Sequence, residues 1–203
     1  MSEVFSPSPL QQGLDAQGYS ELDHLLKLLE DHARHQLGYP FTNNFDYSPL
    51  FRFLYYPINN AGDPFKPNVS WRGGHTRAFE VEVLAWFAER FHAPWQDTWG
   101  YVTNGGTEGN LYGLYLARER YPNGMVYHSQ DTHYSVAKGL HMFRMQHTAV
   151  GSQSNGEIDY QVLHNNIRAR RDIPPIILAN IGTTMKEAID GVARIRSILA
   201  DLS

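Results

Sequence analysis

From residue 98 onward short apolar runs alternate with longer amphipathic stretches, and this alternation constrains the fold more than any other feature of the chain. "WGYVT", "GMVYHS", "HTAVGS" and "PPIILANIGTT" have the length and composition of strands. Between them, Glu108–Arg120, "HYSVAKGLHMFRM" and the stretch near Asp159 to Arg170 carry helical spacing, and a last helix starts near Asp190. Such a series predicts an α/β fold: a mostly parallel sheet with right-handed crossovers and flanking helices. "PPIILAN" is the most apolar run and is therefore expected at the centre of the sheet. Ligands gather at the carboxyl ends of strands in such sheets. Thr103–Gly106, Ser129–His133 and Gly182–Thr184 all fall at that edge.

The first half reads differently. Residues 1–18, rich in Ser, Pro, Gln and Gly, are expected to form a flexible arm. "SELDHLLKLLEDHARHQL" then places Leu22, Leu25, Leu26, Leu29 and Ala33 on one helical face, with Ser20 as cap and Gly38 and Pro40 as the stop. Residues 39–74 form a long aromatic, Pro- and Asn-rich segment of the kind that wraps a surface or lines a site. "RAFEVEVLAWFAERF" is a helix apolar over most of its circumference and is expected to be well buried. The chain thus divides into an arm (1–18), N-terminal helices with a pocket or interface segment (19–97), and a sheet region (98–203).

Composition narrows the classes of function. A hydrophobic content of 42% with 13% aromatic residues is globular rather than disordered. The formal charge of -4, without long runs, argues against nucleic acid or an anionic membrane as the main partner. No window is apolar for long enough to span a membrane, and "MSEVFSPSPLQQ" lacks the build of a secretory signal. The absence of cysteine excludes disulfides and thiolate metal sites and fits a reducing compartment, so a cytoplasmic location is expected.

Three motifs carry candidate chemistry. In "TNGGTEGN", Gly105 and Gly106 remove side chains where backbone N–H groups would face an anion, Thr107 adds a hydroxyl, and the following helix points its positive end there. The stretch is neither a G-x-G-x-x-G nor a Walker loop, and spacing alone leaves a ligand-free strand-to-helix turn equally open. His133, one of ten histidines, starts a helix at the ligand edge, where an imidazole could stack on a ring or move a proton. Lys138 nearby reads as a helix-surface charge. Thr183 and Thr184 offer hydroxyls at a strand end, or serve simply as β-formers there, with Asp190 capping the last helix. His32 and His35 sit three apart on a helix, but no carboxylate pattern accompanies them and no metal site is expected.

Taken in order, "WGYVTNGGTEGN", "YHSQDTHYSVAK", "NGEIDY" and "ANIGTT" resemble segments of the group II pyridoxal-phosphate-dependent amino-acid decarboxylases, in particular the bacterial histidine decarboxylases of that group. "NFDYSPLFRFLYYPINNAGDPF" resembles the N-terminal stretch that shapes their pocket, so the likeness runs from about Gly38 to Ala200. It implies part of the large domain of the type I, aspartate-aminotransferase-like fold of pyridoxal-phosphate enzymes. It also implies the cofactor pyridoxal 5'-phosphate, an amino-acid substrate and a homodimeric complete enzyme.

Carried across, the resemblance gives Gly105, Gly106 and Thr107 to the cofactor phosphate. It stacks His133 on the pyridine ring beside the substrate and sets Thr183 and Thr184 near the ring and its substituents. Tyr47, Asn59 and Asn60 would help shape the amino-acid pocket. The implied reaction is decarboxylation of histidine to histamine and CO2.

The family's cofactor lysine lies in a Ser-x-His-Lys stretch and its pyridine-nitrogen aspartate in an Asp-Ala-Ala stretch, both beyond the strand ending in "GTT". Neither stretch occurs here, and Lys27, Lys66, Lys138 and Lys186 have other contexts. Where relatives often carry a second acidic residue after Asp190, this chain has Gly191. The expectation is a truncated, N-terminal portion of a decarboxylase, with "PPIILAN" open to unpaired-edge association. Two alternatives accompany it: a decarboxylase of serine or another amino acid, and a non-catalytic fragment that pairs with a complementary C-terminal chain. An α/β domain binding some other phosphate-bearing ligand would explain the glycine turn but not the remaining motifs.

Overall fold

The computed structural model describes residues 13–37, 45–60, 62–66 and 74–202. The arm as far as residue 12, and the helix stop expected at Gly38 and Pro40, lie outside the described residues. The chain forms two compact units, Met1–Asn59 with Trp71–His75, and Asn60–Ser70 with Thr76–Ser203.

In the first unit, helix α1 spans Ala16–His35. Its cap is Asp15, whose carboxylate accepts from the Gly18 N–H at 2.8 Å, so the helix begins a turn before the expected Ser20. Its leucine stripe is exposed throughout. Ser48–Phe53 form a single 3-10 segment.

The second unit is built on β1 (Met125–Ser129), β2 (Gln146–Val150) and β3 (Pro175–Leu178), parallel and ordered β2-β1-β3. Met125 faces Gln146 on one side and Pro175 on the other. The two faces sort by strand alternation. Val126 packs with Leu114, Val136 and Leu140 beneath α3 (Gly106–Arg120) and α4 (Tyr134–Met142). Met125 and Tyr127 pack oppositely with Leu163, Ile167 and Ile195 beneath α5 (Tyr160–Arg168) and α6 (Val192–Leu202). The result is three layers, helices on both faces of a parallel sheet.

Two strand expectations change. The central strand is β1, buried along its whole length; "PIIL" is an edge strand, half-buried and paired on one side only among the described residues. A continuous apolar run reports burial on both faces of a sheet, not neighbours on both edges. "WGYVT" joins no ladder. Its aromatic rings turn onto α3 instead, Tyr101 lying 5.2 Å edge-on from Tyr112, and its Val102 N–H is taken by Glu80 at 2.9 Å.

Helix α2 (Arg77–Arg90) buries only Arg77 and Ala88, leaving Phe79, Val83, Trp86 and Phe87 exposed. A helix apolar all round needs cover all round, and among the described residues α2 receives little. No helix among them is long and apolar enough to cross a membrane.

Candidate functional site

The connections leaving β1 and β3 meet at the carboxyl end of the sheet. Between them lies a cavity of about 180 Å³ whose walls include Asn110, Thr132, His133, Asn180, Thr183 and Thr184. β1 feeds α4 with His133 as N-cap, its ring accepting from the Ser135 N–H. The chain after β3 folds back on itself through an antiparallel bridge between Ile181 and Ile189.

One carboxylate ties these segments together. Asp190, only 4% exposed, accepts from the Ile158 N–H at 2.7 Å, the Asn180 N–H at 2.7 Å and Asn180 Nδ2 at 3.0 Å. Asn180 Nδ2 also reaches Thr132 Oγ1 at 3.2 Å. Asp190 therefore braces the strand end and the cavity wall rather than capping α6, as its sequence position suggests. Across the rim, Lys186 pairs with Asp131 at 2.7 Å. That ammonium, and then the Ser152 hydroxyl, hold the Asp131 carboxyl below its ordinary value.

The glycine turn sits at the head of α3. Gly105 has φ +109, a conformation closed to other residues, and α3 carries no side-chain cap on its first-turn N–H groups. A Cβ at Gly106 would meet nothing within 4 Å, so packing does not demand glycine there, whereas close approach of a ligand would. Glu108 adds negative charge to the same turn. Both its oxygens are engaged, accepting from the Asn104 N–H at 2.7 Å and the Tyr101 hydroxyl at 3.0 Å. The open donors with the Thr107 hydroxyl suit a phosphate, and the exposed His133 ring suits an aromatic face. Pyridoxal phosphate needs both.

His133, Thr183 and Thr184 are thus brought together. Gly105, Gly106 and Thr107 do not line that cavity; Asn110, one turn further along α3, does. Thr183 is buried, and its hydroxyl accepts from the Ala188 N–H at 3.2 Å. Asn60 lines a different, wider cavity of about 610 Å³ with Phe79, Glu80 and Trp99. Its amide is used twice by Thr76, at 2.8 and 2.7 Å. In the other unit Tyr47 is exposed and lies 4.3 Å from Phe45, and the Asn59 N–H donates to Gly74 at 3.0 Å. Sequence reading missed Asn110, Ser135, Asn180 and the brace by Asp190. Asn110, Ser135 and Asn180 did lie within the quoted runs "TNGGTEGN", "YHSQDTHYSVAK" and "ANIGTT", but nothing in the spacing singled them out from their neighbours.

Fold and site define an α/β domain with an uncapped helix head behind a glycine turn and an imidazole at the strand ends. No family model matches the chain. It is 50% identical over 189 residues to a histidine decarboxylase of Mesorhizobium japonicum, covering 93% of this chain and 51% of that one. It is 47% identical over 176 residues to a histidine decarboxylase of Acinetobacter baumannii, covering 84% and 44%. Among solved structures, L-methionine decarboxylase from Streptomyces sp.590 superposes with a TM-score of 0.81 at 26% identity, over 94% of this chain and 49% of that one. The chain belongs to the group II pyridoxal-phosphate-dependent amino-acid decarboxylase family, and it spans about half the length of the curated relatives it matches.

Proposed function

We propose that this chain forms the phosphate- and ring-binding part of a pyridoxal-phosphate-dependent decarboxylase that converts histidine to histamine and CO2. One observation supports this reading: the His133 ring and the Thr183–Thr184 turn share a cavity with Asn110, which lies one turn along the helix that starts at the open glycine turn. Bound there, pyridoxal phosphate supplies an electron sink for the bond to the substrate carboxylate. The chain's own residues hold and orient. Gly106 and Thr107 donate to the phosphate, His133 offers its ring face, Thr184 offers a free hydroxyl, and Asp190 keeps the wall rigid through Asn180.

The names of the curated relatives support histidine as substrate. Among the residues proposed for the amino-acid pocket, Asn60 acts as a brace, since its amide is held by Thr76. None of the three lysines in the same unit offers a free amine to the cavity: Lys186 is paired with Asp131, Lys138 lies 4.6 Å over the Tyr134 ring, and Lys66 lies 3.7 Å from Asp63. Covalent capture and turnover under this reading draw their lysine from further polypeptide, in a cytoplasmic homodimer or from a complementary chain. The one-sided β3 edge and the exposed aromatic face of α2 support such a contact.

The test is release of labelled CO2 from carboxyl-labelled histidine and serine. It compares this chain with the complete product of the native gene, including whatever the DNA encodes after Ser203. Release from histidine by the complete product and none by this chain is expected. Ordinary turnover by this chain alone overturns the division of labour, and no release by the complete product overturns the decarboxylase reading.

A further inference from the structure

His133 has two nitrogens with different surroundings. Nδ1 receives the Ser135 backbone N–H at 3.3 Å and lies 2.8 Å from Ser135 Oγ. A backbone N–H can only donate, so Nδ1 is an acceptor without hydrogen. Ser135 Oγ must then be the donor to it. The same oxygen accepts from Asn110 Nδ2 at 2.9 Å, an amide nitrogen that can also only donate.

Turning the Asn110 amide over would reverse this direction only if Nδ1 carried hydrogen. That hydrogen and the Ser135 N–H would then point at each other, so the helix cap and the relay agree on one arrangement. The relay joins two helices, and Gly139 permits their approach. A Cβ there would stand 2.8 Å from Leu114 Cδ1 and 2.9 Å from Leu111 Cδ2.

We propose that Asn110 and Ser135 are positioning residues for His133, fixing the neutral tautomer in which Nδ1 is bare and Nε2 carries the hydrogen. The ring then presents one N–H donor at the cavity it lines. The acceptor it suits is an anionic oxygen of a bound ligand. With its Nδ1 lone pair occupied by the Ser135 donors, the neutral ring orients rather than abstracts a proton. Use of this donor in catalysis rests on the function proposed above; the tautomer itself does not.

The experiment is two-bond proton–nitrogen correlation on the full chain labelled with ¹⁵N-histidine, without cofactor. The His133 signals are identified by their loss in His133→Gln. Wild type is expected to show an unprotonated Nδ1 and a protonated Nε2. In Asn110→Asp the introduced carboxylate draws the Ser135 hydroxyl away, and the Nδ1–H form should rise at least threefold. Ser135→Thr keeps the hydroxyl and should leave wild-type shifts. Circular dichroism confirms that each variant is folded. A protonated Nδ1 in wild type overturns the proposal, and this reading needs no variant. An unchanged tautomer in folded Asn110→Asp also overturns it. Because no turnover is measured, failure here is separate from failure of the decarboxylase reading.

Discussion

Replacing Asp190 with alanine should loosen the candidate site and the fold together. The change strands three donors: the Ile158 N–H, the Asn180 N–H and Asn180 Nδ2. Ile158 is 0% exposed, so water cannot readily replace the lost acceptor. Leaving such a donor unsatisfied costs about 1–3 kcal/mol. The half-buried Asn180 N–H adds about 1 kcal/mol, and relief from burying a carboxylate returns part of the total. The net expectation is about 2–4 kcal/mol, a large share of a typical domain's stability of roughly 5–15 kcal/mol. Asp190→Asn should cost nearly as much, because one oxygen becomes an NH₂ group facing N–H donors. Urea unfolding followed by far-UV circular dichroism at pH 7 measures it. Asp201→Ala is the control: that carboxylate meets His164 at 2.9 Å but is 72% exposed, and its loss should cost under about 1 kcal/mol. If Asp190→Ala costs no more than the control, the carboxylate is not the clamp and the reasoning fails.

Three further outcomes follow from individual residues. Gly156→Ala should lose about 2 kcal/mol or more in the same assay, since Gly156 has φ +85 and the new Cβ would stand 2.9 Å from the Ala188 Cβ. Gly105→Ala meets no neighbour, so its cost is purely conformational at φ +109, about 1–3 kcal/mol. His128 is held below its ordinary value of 6.5, chiefly by burial and further by His147, while the Ser129 carbonyl pulls the other way. The unfolded chain therefore takes up this proton first as pH falls. The His128 contribution is complete above about 6.5 and is lost below it, at up to about 1.4 kcal/mol per pH unit, until the folded group's own lower value is reached. Unfolding between pH 7 and 5.5 should show a shallower pH slope in His128→Gln than in wild type; equal slopes contradict this.

Much of the sheet region was legible because strand and helix periods differ and alternate cleanly after residue 120. The elements Met125–Ser129, Tyr134–Met142 and Gln146–Val150 all occur where the pattern puts them. Strand order was not legible from apolarity, since "PIIL" and "MVYHS" both present continuous buried-type runs and only pairing tells edge from centre. "WGYVT" misled because Trp99 and Tyr101 alternate like a strand yet spend their rings on Tyr112.

At the site, His133 and the two threonines stood out by position, and the structure gathers them. The braces did not stand out. Asp190 and Ile158 are 32 residues apart, and Asn110 and Ser135 are 25 apart, so their contacts exist only after the layers pack.

The central claim is that the head of α3 receives the phosphate of a pyridoxal compound. The most direct measurement is a titration of the ¹⁵N-labelled chain with pyridoxamine 5'-phosphate, which has no aldehyde to react with surface lysines, and in parallel with pyridoxamine. The account predicts saturable shifts centred on the amides of Gly106, Thr107 and Glu108, with affinity at least tenfold weaker for the compound lacking phosphate. Equal affinity for the two compounds, or shifts confined to residues away from this turn and the His133 cavity, would contradict it.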